Sequence, residues 1–257
     1  MSKLLEGKTA LVLGVWNKWS IAYAIAQAFV REGATLLLTY QNDRARLTVE
    51  ELGQGLGAAD FFPCDVQQQP DIDGLAESIK AKGHKLDVIV HSLAFANPED
   101  LARPFVQTSR DGFKLAMDVS AYSLVALSKA LSPLMNEGGS VMTLTYLGST
   151  RVVTNYNVMG VAKAALEASV KYLASELGAS KIRVNAISAG PIKTISARGV
   201  KDFSKVLDLV AEHAPLKRNT DAAEVADTAL FLASDLGRGV TGNTIFVDAG
   251  FHIMGLG

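Results

Sequence analysis

One cysteine, Cys64, is present in 257 residues, so an internal disulfide framework is excluded and a reducing compartment fits the chain best. Cys64 itself sits in FFPCDV, a setting that reads as a buried strand end, with nothing beside it to lower a thiol pKa. Charge of one sign is also lacking: 25 basic against 26 acidic residues leave a net charge of -1, which provides neither a basic field for nucleic acid nor an acidic tail. No apolar run approaches the length needed to span a bilayer. The N-terminal MSKLLEGKTALVLG enters a strand-like run without a basic-then-apolar leader. These absences lead us to expect a cytoplasmic protein without a nucleic-acid partner or a membrane span, and the sequence nominates no metal ligands. What is present is a 49% hydrophobic, 20% charged composition in a chain long enough to bury a substantial core, which suits small-molecule chemistry in one α/β domain covering residues 1–257.

Apolar runs rich in β-branched residues alternate with helix-period segments along the whole chain. TALVLG, ATLLLTY, FFPCDV, LDVIVHSLAFA, GGSVMTLTYLG, KIRVNAISAG and NTIFVDAG read as strands buried on both faces, as parallel pairing requires. Between the first two lies SIAYAIAQAFVREG, with Ile21, Ile25 and Phe29 on one helical stripe and Gly33 as its stop. Further helices are expected through FKLAMDVSAYSLVALSKALSPLM and from about Tyr156 to Leu177. The predicted fold is a Rossmann-type, doubly wound parallel sheet of about seven strands with helices on both faces, and its ligand outside the carboxyl ends of the strands. Residues 194–215 form too long a connection for a simple loop and carry an apolar stripe at Val206, Leu209 and Val210. We expect either a partly helical substrate lid or an ordinary surface insertion.

The first strand ends at Gly14 and opens into a helix, the place where a dinucleotide pyrophosphate meets free backbone N–H groups. The loop GVWNKWSIAYA holds one glycine only, so the usual G-x-G-x-x-G pattern is not met. Ser20 either caps that helix or reaches a phosphate oxygen. After the second strand, neutral Gln41 stands where a carboxylate would hold the adenosine ribose. Asp43 repels a 2'-phosphate and Arg44 and Arg46 attract one, a balance that favours the unphosphorylated cofactor. Asp65, at the third strand end, can accept from the adenine amino group or simply close a turn. His91 reads as a packed strand residue rather than a base.

The block LTYLGSTRVVTNYNVMGVAKAALEASVKYLA, with GVWNKWSIAYAIA, HSLAFA, RVNAISAGPIKT and GVTGNTIFVDAG, resembles the short-chain dehydrogenase/reductase superfamily nearly end to end. More closely, it is similar to a divergent branch, the bacterial type I enoyl-acyl-carrier-protein reductases. The resemblance implies that Tyr156 lies beside the substrate carbonyl, that Lys163 holds the nicotinamide ribose, and that Gly14, Ser20, Ile21, Gln41, Asp65, Val66 and Leu93 line the cofactor. The backbone from Ile192 through Lys193, Thr194 and Ile195 to Ser196 joins them, while Ala96 touches substrate. It also implies a homo-oligomer, a tetramer, and the enoyl thioester of acyl carrier protein as partner substrate, with NADH favoured over NADPH. Against the wider superfamily, Met159 occupies the usual tyrosine slot, Tyr146 stands where a serine is expected, and HSLA replaces an asparagine-rich strand end.

A displaced tyrosine suits a different reaction. A tyrosine one turn before the lysine serves ketone reduction, in which the carbon taking hydride is bonded to the oxygen taking the proton. In an α,β-unsaturated thioester the hydride goes to the β-carbon and charge develops on an oxygen three bonds away, so a donor two turns back fits better. If helical geometry begins near Tyr156, residues 156 and 163 share a face. Tyr156 is then the donor to the enolate oxygen. Lys163 orients the ribose and lowers the tyrosine pKa, and Tyr146 is a second donor or a substrate wall. Met159 either lines the acyl pocket or packs in the core. Phe203, with Ile195 and Val200, offers apolar surface to an acyl chain, while Arg198, Lys201 and Lys205 either meet an acidic carrier or form a solvated face. Rival readings on the same fold are a carbonyl reductase or alcohol dehydrogenase, for which Met159 supplies no acid, and a non-catalytic nucleotide sensor.

Overall fold

The runs of Leu, Val and Ile that announce strands in the sequence become the centre of a seven-stranded parallel sheet in a computed structural model, which describes residues 3–194 and 203–255. The strands are β1 (Thr9–Leu13), β2 (Thr35–Tyr40), β3 (Asp60–Pro63), β4 (Leu86–His91), β5 (Met135–Thr145), β6 (Arg183–Ala189) and β7 (Thr244–Val247). Their order is β3-β2-β1-β4-β5-β6-β7, with every neighbouring pair parallel. The chain winds one way from β1 to β3 and then crosses to lay β4 on the other side of β1. The carboxyl ends of β1 and β4 therefore flank the switch point, where doubly wound sheets leave a crevice for ligands.

Alternation along each strand divides the core in two. Val12, Leu38, Val90 and Ile187 face a cluster closed by Ile25 and Phe29 of α1 (Ile21–Arg31) and by Val225 and Leu230 of α9 (Ala222–Ala233). Leu11, Leu37, Ile89 and Val184 face the opposite cluster. Ile72 of α3 (Gln69–Ala81), Leu127 of α6 (Ser123–Leu131), and Leu166 and Val170 of α7 (Val158–Leu177) close that side. Each fully buried Leu, Ile or Phe here is worth about 1.5–3 kcal/mol. Two further helices, α2 (Asp43–Leu56) and α4 (Pro98–Ala102), flank the carboxyl side of β2 and the connection after β4.

Three local expectations need correction. The long helix begins at Val158, not at Tyr156: Asn155 and Asn157 take positive φ of 65° and 43°, backbone that an α-helix cannot contain, so Tyr156 lies in the turn before α7. The helix through FKLAMDVSAYSLVALSKAL is not uniform either. It runs as α5 (Arg110–Met117), a π-turn over Asp118–Tyr122, and α6. In the 194–215 connection, α8 (Phe203–His213) buries Leu207 and Val210, with Val206 half-buried. Leu209 is exposed, because 3.6-residue spacing brings 207 and 210 onto one face and turns 209 away.

Candidate active site

A cleft of about 550 Å³ opens at the switch point. Its floor is the end of β1, where Gly14 has φ of 97° and a Cβ would strike the backbone carbonyl of Ser92 at the end of β4. Glycine is demanded there twice over, by the left-handed backbone and by the close approach of two strand ends. Beyond it Ser20 caps α1: its Oγ accepts from the Tyr23 N–H at 3.2 Å while its hydroxyl donates to the Asn17 carbonyl at 2.8 Å. The first-turn N–H groups of α1 and their positive dipole end thus border the cleft, together with Ile21, without the triple-glycine loop.

At the far edge the Gln41 amide donates to Asp65 Oδ2 at 3.3 Å, and Asp65 Oδ1 accepts from the Gln67 N–H at 3.1 Å. The two side chains form one polar edge, with Val66 and Leu93 as apolar walls. Arg46, on α2, is held elsewhere: its Nε donates to Glu50 at 2.7 Å and its guanidinium lies 5.8 Å over the Tyr40 ring. Arg44 is exposed. Cys64 is buried at the cleft lining and its thiol is pushed up to about 12, first by desolvation and then by Asp71 and Asp65, which disfavours the thiolate. Thr194 reaches the cleft lining, Ile192 packs against the core, and Lys193 is exposed. Ile195 and Ser196 lie outside the described residues, as do Arg198, Val200 and Lys201.

The other end of the cleft is drier. Lys163 is 5% exposed, lines the cleft from α7, and donates from Nζ to the Leu144 carbonyl at 2.8 Å. Burial lowers its pKa to about 8, with Glu167 pulling the other way. Tyr156 and Tyr146 meet edge to face, ring centroids 5.0 Å apart at 71°. Desolvation pushes the Tyr146 hydroxyl up to about 12, Asp248 adding to it. The Tyr156 hydroxyl is raised further, first by desolvation, then by Tyr146 and Glu167. The Lys163 field expected to lower the tyrosine pKa is not among the causes acting on either phenol, and removal of water raises both. Both hydroxyls stay protonated and able to donate throughout the neutral range.

Tyr156 also packs against a small cluster of Ala96, Ala116, Val158 and Met159. Met159 is 6% exposed and its sulfur accepts from the Ser120 hydroxyl at 3.7 Å, which makes it a packing residue behind Tyr156. Phe203 is half-buried on α8, and no contact joins it to that cluster. His91 is buried and neutral, its ring nitrogens bonded to Thr143 Oγ1 and Ser123 Oγ at 2.8 Å each, its pKa lowered to about 3 by burial and then by Lys163. It is a strand residue, as expected from sequence.

Two kinds of residue escaped the sequence reading. Val119 and Phe95 line the cleft because the π-turn swings 119 toward it and Ser120 Oγ clasps Phe95, accepting from its N–H at 3.0 Å. The sequence DVSAY carries no signal for a π-turn. Gly148 and Gly160 were the other omission: a Cβ at 148 would run into the Tyr156 ring, and one at 160 would come within 2.7 Å of the Gly148 carbonyl. A glycine on each side of the displaced tyrosine was a readable hint.

Comparison with known proteins places this geometry. Residues 14–252 match a family model described as Enoyl-(Acyl carrier protein) reductase. The enoyl-[acyl-carrier-protein] reductase [NADH] FabI of Bacillus cereus is 52% identical over 255 residues, covering 98% of this chain and all of that protein. The enoyl-[acyl-carrier-protein] reductase [NADPH] FabI of Staphylococcus aureus is 50% identical over 250 residues, covering 96% of this chain and 98% of that one. A crystal structure of the Bacillus cereus reductase with NADP+ and indole naphthyridinone superposes with a TM-score of 0.97 at 53% identity, over 99% of this chain and 100% of that one. The chain belongs to the enoyl-(acyl carrier protein) reductase family.

Proposed function

We propose that this chain reduces the trans-2 double bond of an enoyl thioester on acyl carrier protein during fatty-acid elongation, with NADH preferred over NADPH. The observation that carries the reading is the pairing of a cofactor-sized cleft lined by Lys163 and Thr145 with a half-buried Tyr156 edge to face on Tyr146, the residue after Thr145, and a packed methionine, not an acid, one turn before Lys163. A nicotinamide dinucleotide fits the donor set. Gly14 lets the ends of β1 and β4 meet beneath the cleft, α1 offers its N-terminal N–H groups to the pyrophosphate, and Gln41 and Asp65 offer polar atoms to the adenosine. When bound, the dinucleotide supplies the hydride for the β-carbon.

The residues then divide the work. Lys163 holds the ribose hydroxyls by its ammonium. Tyr156 donates to the thioester oxygen as enolate charge appears, a role for which a phenol that never ionises near neutrality is suited. Tyr146 supports the Tyr156 ring by its edge-to-face contact and is a second donor or a wall of the acyl site. Ala96 offers the acyl chain apolar surface beside Tyr156, with Met159 packed behind that ring, and Phe203 offers more from α8, the proposed lid. The lean to NADH rests on Gln41 and on Arg46 being tied to Glu50 and Tyr40, away from a 2'-phosphate. We place the chain in the cytoplasm as one domain. None of its described helices is long and apolar enough to cross a membrane. Assembly as a homotetramer has support in the exposed Phe113, Tyr122, Val161 and Tyr172 on α5 to α7, and light scattering of the purified protein tests it.

The test is oxidation of NADH by the purified protein with a trans-2-enoyl thioester, against a 3-ketoacyl thioester as control. Turnover of the enoyl compound alone is expected; turnover of the ketoacyl compound alone sinks the reading in favour of a carbonyl reductase. Replacing Lys201 and Lys205 with Glu is expected to raise KM severalfold for the carrier-bound substrate and to spare a short thioester. Equal effects on both would place the carrier elsewhere.

A further inference from the structure

Two successive residues of β5 are gripped by two side chains four apart on α7, with opposite polarity. The Leu144 carbonyl accepts from Lys163 Nζ at 2.8 Å, and the Thr145 hydroxyl donates to Glu167 Oε1 at 2.7 Å. Residues at i and i+4 share a helix face, so the ammonium and the carboxylate stand one turn apart over the same strand end. Leu144, Thr145 and Lys163 all line the cleft. Thr145 is 4% exposed, and a hydroxyl donating to a carboxylate at this length is a strong, charge-assisted bond that fixes the acid in place.

A buried ammonium is costly without an opposing charge, and the hydrogen bond of Lys163 goes to a neutral carbonyl. Besides Asp248, which acts on Tyr146 from beyond β7, four titratable groups act in this neighbourhood among the described residues: His91 from β4, Tyr146 at the end of β5, Tyr156 in the turn before α7, and Glu167 on α7 itself. The first three are neutral side chains at pH 7. Glu167 is the carboxylate whose field acts on Lys163, and it acts on Tyr156 as well.

We infer that Glu167, anchored by Thr145, is a positioning residue of the reductase: it supplies the counter-charge for the Lys163 ammonium and, with Thr145, pins α7 to β5 at the height where that ammonium meets the cofactor ribose. The inference rests on the reading of Lys163 as the ribose ligand. Glu167 touches neither substrate nor cofactor; its effect passes through Lys163. Burial alone has already brought Lys163 to about 8, so the field of Glu167 decides how much ammonium survives at physiological pH.

The experiment is NADH binding to the full chain as a function of pH, followed by quenching of tryptophan fluorescence, since Trp16 borders the cleft. For the parent chain, affinity is expected to fall as pH rises through about 8 and Lys163 loses its proton. Glu167→Gln keeps the size and an acceptor for Thr145 but removes the charge. Its fall is expected about one pH unit lower, with about fivefold weaker binding at pH 8. Glu167→Asp should restore most of the parent profile. Thr145→Val, which keeps the carboxylate but frees it, should move the fall down by less, and it serves if the Gln variant does not fold. A fall at the parent pH in both Gln and Val variants overturns the proposal, whatever happens to Tm. Lys163→Met separates the two failures: loss of NADH affinity with an unmoved Glu167→Gln profile sinks this inference alone, whereas unchanged affinity in Lys163→Met sinks the ribose reading beneath it.

Discussion

The two ends of the cleft solve opposite problems. The nucleotide end is built from backbone: a glycine at φ of 97°, a capped helix start, and a polar pair at the edge that remains partly wet. The end proposed for the reaction is built from side chains, a buried lysine and two half-buried tyrosines in edge-to-face contact, whose hydroxyl pKa values burial raises. Recognition of a long, charged cofactor tolerates solvent and needs shape. Stabilising a transient oxyanion needs donors already stripped of water, because only then is their hydrogen bond stronger in the transition state than the one water offered before.

The sharpest way to break this contrast is Tyr156→Phe. It is expected to lower kcat on an enoyl thioester by roughly 10²-fold or more while leaving NADH affinity within about twofold, measured by steady-state kinetics and by fluorescence titration. A larger loss in Tyr146→Phe would reverse the assignment of donor and support. Gly14→Ala attacks the other end. A Cβ there meets the Ser92 carbonyl on a backbone that disfavours it, and a cost of about 2–4 kcal/mol is expected, divided between a lower Tm and weaker NADH binding.

These two variants also mark what the sequence could and could not show. Gly14 was legible because a strand ending in glycine before a helix is a local pattern, and the strands themselves followed from continuous apolar runs. Lys163 came from the family resemblance; periodicity placed only the helix that carries it. Tyr156 was half legible. Its distance from Lys163 was visible, but the helix start was placed two residues early, because positive φ at Asn155 and Asn157 depends on how the 147–157 segment folds over α7. The π-turn, the Met159 packing and the direction of the tyrosine shifts depend on which distant groups exclude water, and no local spacing encodes that.

A smaller effect is expected from His91. It is neutral in the folded chain with a pKa of about 3, below its ordinary value of about 6.5, so the unfolded chain binds the extra proton first. Its contribution is complete above pH 6.5 and is lost as pH falls toward 3, at no more than about 1.4 kcal/mol per pH unit. Scans of Tm from pH 7 to 4.5 should show a shallower acid decline in His91→Asn than in the parent, from a lower starting Tm. Parallel curves would mean that other groups set the acid limit. The smallest effect belongs to the wet end: Glu50→Gln unties Arg46 and should improve NADPH binding by roughly threefold, with NADH binding unchanged, since an exposed ion pair is worth under about 1 kcal/mol.

The pinch at Gly148 and Gly160 gives the site an unusual mutational grain. Tyr156, the proposed donor, is held by two positions with no side chain, so its most intolerant neighbours are ones that meet it through backbone alone. A saturation library at 148 selected for growth on the enzyme's activity would return glycine alone, while Met159, in the slot prized by the wider superfamily, would accept Leu or Ile of similar bulk.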